Sequence, residues 1–269
     1  MASIPTIALS AHWHTHPERF EWIEAHGFAA EYTPNPEAFE RLPAHVDPLL
    51  EAGIPVRYHG FFPRHEFGHA DAAAAERAVE VHLAALEALQ GRGEQFITLH
   101  CGLNPDIPLD LSRAVTNLSR LAQRACDLGI TVSLENLRRG PTSDPETVVA
   151  WASESGAMIT LDVGHAVSCR RVQDGESTVI DFIAAFTGRR NAADRLREVH
   201  MYERETDHHH APRDMRALGP IVDRLMETDC RWWTIELDDP DEALATRTLL
   251  IDYLEARPSL GAAASNPVQ

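Results

Sequence analysis

The sequence predicts a single (β/α)8 barrel. Three observations carry that prediction. Short β-rich runs alternate with longer helical patterns eight times. Glycines stand between the helical patterns and the strands that follow them. The length, 269 residues, is normal for eight such repeats in one domain. An open doubly wound sheet is the runner-up, and the lack of a glycine-rich phosphate loop after the first strand weakens it.

Taken in order, the first strand is "IPTIALS" (4–10), and Gly27 ends the helix that follows. The second is "FAAEYT" (28–33), and Gly53 precedes the third, "PVRYHGF" (55–61). The amphipathic segment "DAAAAERAVEVHLAALEALQGRG" then returns the chain at Gly93 to "QFITLHC" (95–101). A second such segment, "LDLSRAVTNLSRLAQRACDLG", ends in Gly129 before "ITVSLEN" (130–136). Asp144-Pro145 reads as an N-cap with a first-turn proline, and that helix stops at Gly156. The last three strands are "MITLDVG" (158–164), "LREVHMY" (196–202) and "WWTIELD" (232–238), followed by a second Asp-Pro cap at Asp239-Pro240. The barrel is expected over residues 1–258, with a small, polar tail at 259–269.

Four strands share one ending: "TLH" (98–100), "SLE" (133–135), "TLD" (160–162) and "TIE" (234–236). Side chains alternate along a strand, so Leu or Ile faces the helices while Thr or Ser and the final ionisable residue face the barrel axis. "RYH" (57–59) and "EVH" (198–200) add two more. His59, His100, Glu135, Asp162, His200 and Glu236 are therefore expected at the C-terminal ends of the strands, where barrel enzymes carry their chemistry. One acid or imidazole ending a strand is ordinarily a cap or a surface group. Six in register are a different matter, because converging carboxylates repel one another and lose solvation. A divalent metal removes that cost, and mixed imidazole and carboxylate donors suit zinc, manganese, iron or cobalt.

The loops add candidates. His165 lies three residues after Asp162, close enough for a turn to aim it back. Asp207 and His209 form a D-x-H pair within "ETDHHHAP" after the seventh strand, where a solvated loop is the ordinary alternative. His12, His14 and His16 follow the first strand, and His12 and His14 are candidate substrate contacts. His26, His45 and His82 fall on helical patterns and read as structural, and His65 and His69 are weaker candidates. Trp232 and Trp233 read as packing and Cys101 as core filling.

Composition narrows the function classes. The formal charge is −17, with 41 acids against 24 Lys and Arg, and no Arg/Lys stripe is evident. Broad adhesion to nucleic acid is therefore not expected. No apolar run reaches the length of a membrane span, and the N-terminus lacks a signal-peptide pattern. Four dispersed cysteines, without a CxxC pair, suggest reduced thiols and a cytoplasmic location. No HExxH, GxSxG, P-loop or kinase motif is present.

"SLENL", "LDVGHA", "EVHMYE" and "TIELD", in that order, resemble the xylose-isomerase-like TIM barrel superfamily, which holds sugar and sugar-phosphate isomerases and epimerases and the endonuclease IV family. The resemblance spans nearly the whole chain. In the isomerase branch it implies one divalent metal on Glu135, Asp162, His200 and Glu236, with His165 touching substrate. Glu135 and Glu236 would then exchange a proton beside a carbonyl. The epimerases carry an arginine six residues after the seventh-strand histidine. Here that position is Thr206, and Arg204 lies nearby out of register as a candidate substrate contact.

The endonuclease branch implies a three-zinc phosphodiester hydrolase. His59, His100 and Glu135 would hold one zinc and the four shared residues a second. His165, Asp207 and His209 would hold the third. The combined expectation is one to three metals per chain and a small-molecule substrate, a carbohydrate or its phosphate. Nucleic acid is not favoured as a partner, and a homo-oligomer is allowed. A non-catalytic metal- or ligand-binding barrel is the remaining alternative.

Overall fold

A computed structural model describes residues 3–188 and 193–257 of the chain. The expected tail at 259–269 lies outside the described residues. The barrel strands are β1 (Thr6–His12), β2 (Ala29–Thr33), β3 (Val56–Gly60), β4 (Phe96–Leu99), β5 (Thr131–Glu135), β6 (Met158–Asp162), β7 (Leu196–Met201) and β10 (Trp232–Ile235). They close in the order β1-β10-β7-β6-β5-β4-β3-β2, with every neighbouring pair parallel. A small antiparallel hairpin, β8 (Arg204–Glu205) and β9 (His209–His210), is inserted after β7.

The helices form where their caps sit. Asp110 accepts a hydrogen bond from the Arg113 amide and starts the helix Leu111–Asp127. Asp144 and Asp239 cap the helices Pro145–Ser155 and Pro240–Ala256, as their Asp-Pro pairs predict. Gly27 and Gly156 close their helices at φ 66° and 81°, in the left-handed region where a side chain costs energy. No helix among the described residues is long and apolar enough to cross a membrane. All four cysteines are free.

The alternation expected of the strand endings is present. Leu99, Leu134, Leu161 and Ile235 pack outward in the main apolar cluster against the helices. Inside the barrel, Thr98, Thr160 and Ser133 join through hydroxyl hydrogen bonds of 2.8 Å. On β7 the phase is reset by a register shift opposite Ile159 and Thr160. Leu196 joins the outer core, whereas Glu198 and His200 are fully buried on the barrel side. Without that shift, His200 could not share a face with Asp162.

Several boundaries differ from the sequence reading. β1 runs on to His12, which keeps its backbone in the sheet. β4 and β10 end one residue before His100 and Glu236. β6 passes directly into the helix Val163–Ser168: Asp162 is both the last strand residue and the N-cap, accepting the His165 amide at 2.6 Å. His165 is thus turned back by a helix rather than by a loop.

Candidate metal centre

The six inward residues meet at the C-terminal mouth, and all are at most 8 % exposed. Glu135, at the end of β5, is the hub. One of its oxygens lies 3.0 Å from His100 Nε2, 3.2 Å from His200 Nδ1 and 3.4 Å from His59 Nε2. The other lies 3.2 Å from His165 Nδ1. Glu236 Oε1 stands 3.3 Å from both His200 Nδ1 and His59 Nδ1. Two carboxylates thus bracket the same imidazole nitrogen.

Asp162 is held more tightly than its neighbours. Asn136 clamps its backbone, accepting from the Asp162 amide at 2.9 Å and donating to its carbonyl at 3.0 Å. Tyr202 donates its hydroxyl to the Asp162 carboxylate at 3.0 Å. His200 Nε2 points away from the mouth and meets Glu31 Oε1 of β2 at 3.1 Å.

Burial opposes charge throughout the cluster, and mutual attraction decides the outcome at each residue. Burial lifts the Asp162 carboxyl to about 6, with the Glu135 and Glu236 charges adding to the effect. Burial also works against protonated His59 and His165, yet facing carboxylates prevail and raise both to about 10. Around Glu135 and Glu236 the histidines overcome burial and hold the carboxyls below their usual range. His100, where desolvation outweighs Glu135, is lowered.

The donor set fits a divalent ion. Both Glu135 oxygens, His200 Nδ1 and His100 Nδ1 are buried without a hydrogen-bond partner, an arrangement that native interiors rarely tolerate. The Glu135 oxygens and His200 Nδ1 face one another at the mouth. Ligand atoms of His59, His200 and Glu236, and separately of His59, His100 and Glu135, lie within 4.8 Å of one another. Imidazole and carboxylate in this mixture suit zinc, manganese or iron.

A further cluster stands beside the first, and its composition differs from the sequence reading. His165, His209 and Glu205 converge, with His165 Nε2 3.3 Å from Glu205 Oε2. The ring of His165 is fixed by Nδ1 against the Asn136 carbonyl at 3.0 Å, and that of His209 by Nδ1 against the Glu236 carbonyl at 2.8 Å. Both therefore present Nε2 as the free ligand atom. Asp207 is absent from this group. It is exposed at the hairpin tip, where Thr206 and His208 engage it. Pairing across the hairpin sets Glu205 opposite His209 and Arg204 opposite His210, so alternation places Glu205 toward the mouth and Arg204 away from it. Arg204, expected as a substrate contact, is exposed and lies outside the group that converges at the mouth.

His12 is half-buried near His59 and Glu236, and burial together with the His59 charge lowers it to about 4. It stacks on His14, which is exposed, and meets the edge of Phe61. These rings and exposed Trp13 form an aromatic wall on the β1 and β3 side of the mouth. His82, Trp232 and Trp233 are buried, as expected of packing residues, and Cys101 is held against Glu66.

Sequence reasoning missed Glu31, Glu205, Asn136 and Tyr202. Glu31 carried a usable signal, a carboxylate inside the apolar run "FAAEYT". Tyr202 did not, because its role depends on a helix that starts without a loop.

The comparisons agree with this architecture. The family model described as xylose isomerase-like TIM barrel matches residues 20–254. An uncharacterized protein of Methanocaldococcus jannaschii is 33% identical over 165 residues, which cover 61% of this chain and 69% of that protein. A D-tagatose 3-epimerase-like protein superposes with a TM-score of 0.74 at 19% identity, over 93% of this chain and 97% of its own. Endonuclease IV from Thermus thermophilus superposes with a TM-score of 0.67 at 17% identity, over 93% and 99%. With 235 consecutive residues inside the family model, closed into the barrel described above, the chain belongs to the xylose isomerase-like TIM barrel family.

Proposed function

We propose that the protein is a divalent-metal-dependent enzyme of the sugar isomerase and epimerase type, working in the cytoplasm on a small carbohydrate. The observation that carries this reading is the buried mouth cluster, in which Glu135 and Glu236 face the same His200 nitrogen and the Glu135 oxygens lack hydrogen-bond partners. Glu135, Asp162, His200 and Glu236 would hold the ion. When bound, the metal supplies Lewis-acid polarisation of substrate oxygens. Glu135 and Glu236 would take a proton from the carbon beside the carbonyl and return one. Asn136 and Tyr202 keep Asp162 in place, and the aromatic wall borders one side of the mouth.

The cations near the mouth favour an uncharged substrate. Arg19 donates to the carbonyls of Ser10, Leu237 and Asp238, and Arg138 to those of Glu205 and Thr206. Arg138 Nε also pairs with the Glu205 carboxylate at 3.2 Å, so these two arginines are engaged and would offer a phosphate group little support.

A multinuclear-zinc phosphodiester hydrolase is the second reading. The donors beyond one ion's needs favour it, namely His59 and His100 beside Glu135 and the His165, His209, Glu205 group. Metal analysis of the native protein separates the two. One metal per chain, with turnover in a ketose epimerisation panel, supports the first. Two or three zincs with cleavage of abasic-site DNA support the second. A protein that binds no divalent metal, native or reconstituted, overturns both. Metal without turnover in either assay would leave a binding barrel.

A further inference from the structure

We propose that Glu31 is a positioning residue that acts through His200 and sets the metal affinity of the mouth. This inference rests on the metal reading above. Glu31 lies on β2, across the barrel from β7, and is 1 % exposed. Its Oε1 stands 3.1 Å from His200 Nε2. The other ring nitrogen, Nδ1, faces Glu135 at 3.2 Å and Glu236 at 3.3 Å and has no hydrogen-bond partner. A neutral imidazole that donates Nε2–H to a carboxylate presents its Nδ1 lone pair on the opposite edge, so a metal that displaces the Nδ1 proton meets that lone pair. The ring is thereby fixed in tautomer and direction, and the carboxylate makes it a stronger donor.

The barrel interior keeps Glu31 available for this task. Its neighbour Glu198 is occupied below, accepting from Thr234 at 2.8 Å and pairing with Arg57 at 3.4 Å. Glu198 stays 3.9 Å from His200 Nε2, beyond hydrogen-bond reach. Arg57 is itself fixed between the rings of Phe96 and Trp232, at 4.3 and 4.5 Å. The cation therefore pairs with Glu198 and leaves the Glu31 carboxylate facing His200, with its other oxygen 3.9 Å from His59 Nδ1. An unneeded carboxylate this deep would cost folding energy without return.

The test uses the full-length chain freed of metal by chelation and titrated with Zn2+ alone. Glu31→Gln keeps an acceptor for Nε2–H and removes the charge. It is expected to weaken zinc binding about 10- to 100-fold, the range for such supporting partners. Glu31→Ala removes both and should weaken it at least as much. Nitrogen NMR of the wild-type protein, labelled at histidine, gives a second readout that needs no variant. His200 Nδ1 should shift on zinc binding while Nε2 keeps its proton. Unchanged zinc affinity in Glu31→Gln, or ligation through His200 Nε2, overturns the role of Glu31 alone. Failure of the wild-type protein to bind any zinc overturns the metal reading and this role together.

Discussion

Gly164, in the middle of "LDVGHA", offers a perturbation whose size follows from the geometry. A Cβ built there would lie 1.9 Å from Tyr202 Cε2 and 2.4 Å from Cδ2 and Cζ. Carbon atoms pack at about 3.5–4.0 Å, so the ring would have to leave its place. Tyr202 is fully buried, stacked on His209 at 3.9 Å and bonded to Asp162. Gly164→Ala should therefore cost about 1–3 kcal/mol for overpacking. Losing a hydrogen bond to a charged carboxylate adds about 1.5–3 kcal/mol. Up to about 1 kcal/mol is recovered, because alanine is the better helix former. The net expectation is about 1.5–6 kcal/mol. In a Tyr202→Ala background the obstacle is gone, and the same substitution should be neutral or stabilise by up to about 1 kcal/mol. Urea unfolding of the four metal-free proteins at pH 8 measures the cycle. Equal costs in the two backgrounds, within about 0.5 kcal/mol, would show that the close approach is not what glycine serves.

Three further outcomes are expected. If Glu205, and not Asp207, completes the group with His165 and His209, Glu205→Gln should weaken metal binding there by tenfold or more, and Asp207→Asn should not; equilibrium dialysis with zinc against each variant decides between them. Stability of the metal-free protein should fall as pH rises from about 6.5 to about 10. His59 and His165, with folded values raised to about 10, keep protons that the unfolded chain has already released, so their contribution is complete below 6.5 and lost above 10; urea midpoints that rise between pH 7 and pH 9 would contradict this. Arg57→Met should destabilise by about 1–2 kcal/mol more at pH 9 than at pH 6, because it removes the partner of a buried Glu198 that is ionised only at the higher pH. Burial and the Glu31 charge raise the Glu198 carboxyl to about 8, so the penalty should shrink at pH 6, where that carboxyl is protonated; a cost independent of pH would argue that Arg57 matters through ring packing alone.

The eight strands were legible in sequence because a parallel barrel strand is short, apolar and bounded by turn signals. The shared endings were legible because alternation has only two phases. Residues sent to the axis by a strand, such as Glu135 and His200, could therefore be named in advance. Residues that reach the mouth by other means could not. Glu205 depends on a two-residue hairpin pairing, and sequence spacing alone favoured the D-x-H pair at Asp207 instead. Asn136 depends on a cross-strand bond to a backbone 26 residues away. The shift on β7 leaves no mark in "LREVHMY", yet it decides which of its side chains turn inward.

The carboxylate of Asp162 at the end of β6 belongs to a larger balance. Five carboxylates, Glu31, Glu135, Asp162, Glu198 and Glu236, are buried in and above the barrel. Arg57 compensates only Glu198, at the lower end. At the mouth the available counter-charges are protons on His59, His165 and His200, whose affinities the carboxylates raise. On the metal reading proposed above, protons and a divalent ion compete for one set of donors. Metal binding should release protons, and its affinity should rise with pH across the range in which His59 and His165 would otherwise stay charged. The acids are held at the strand ends by cross-strand clamps such as Asn136 on Asp162, so the donors stay together whichever cation is bound. That preorganisation would let one rim serve as a proton store without metal and, on the proposed reading, as a ligand set with it.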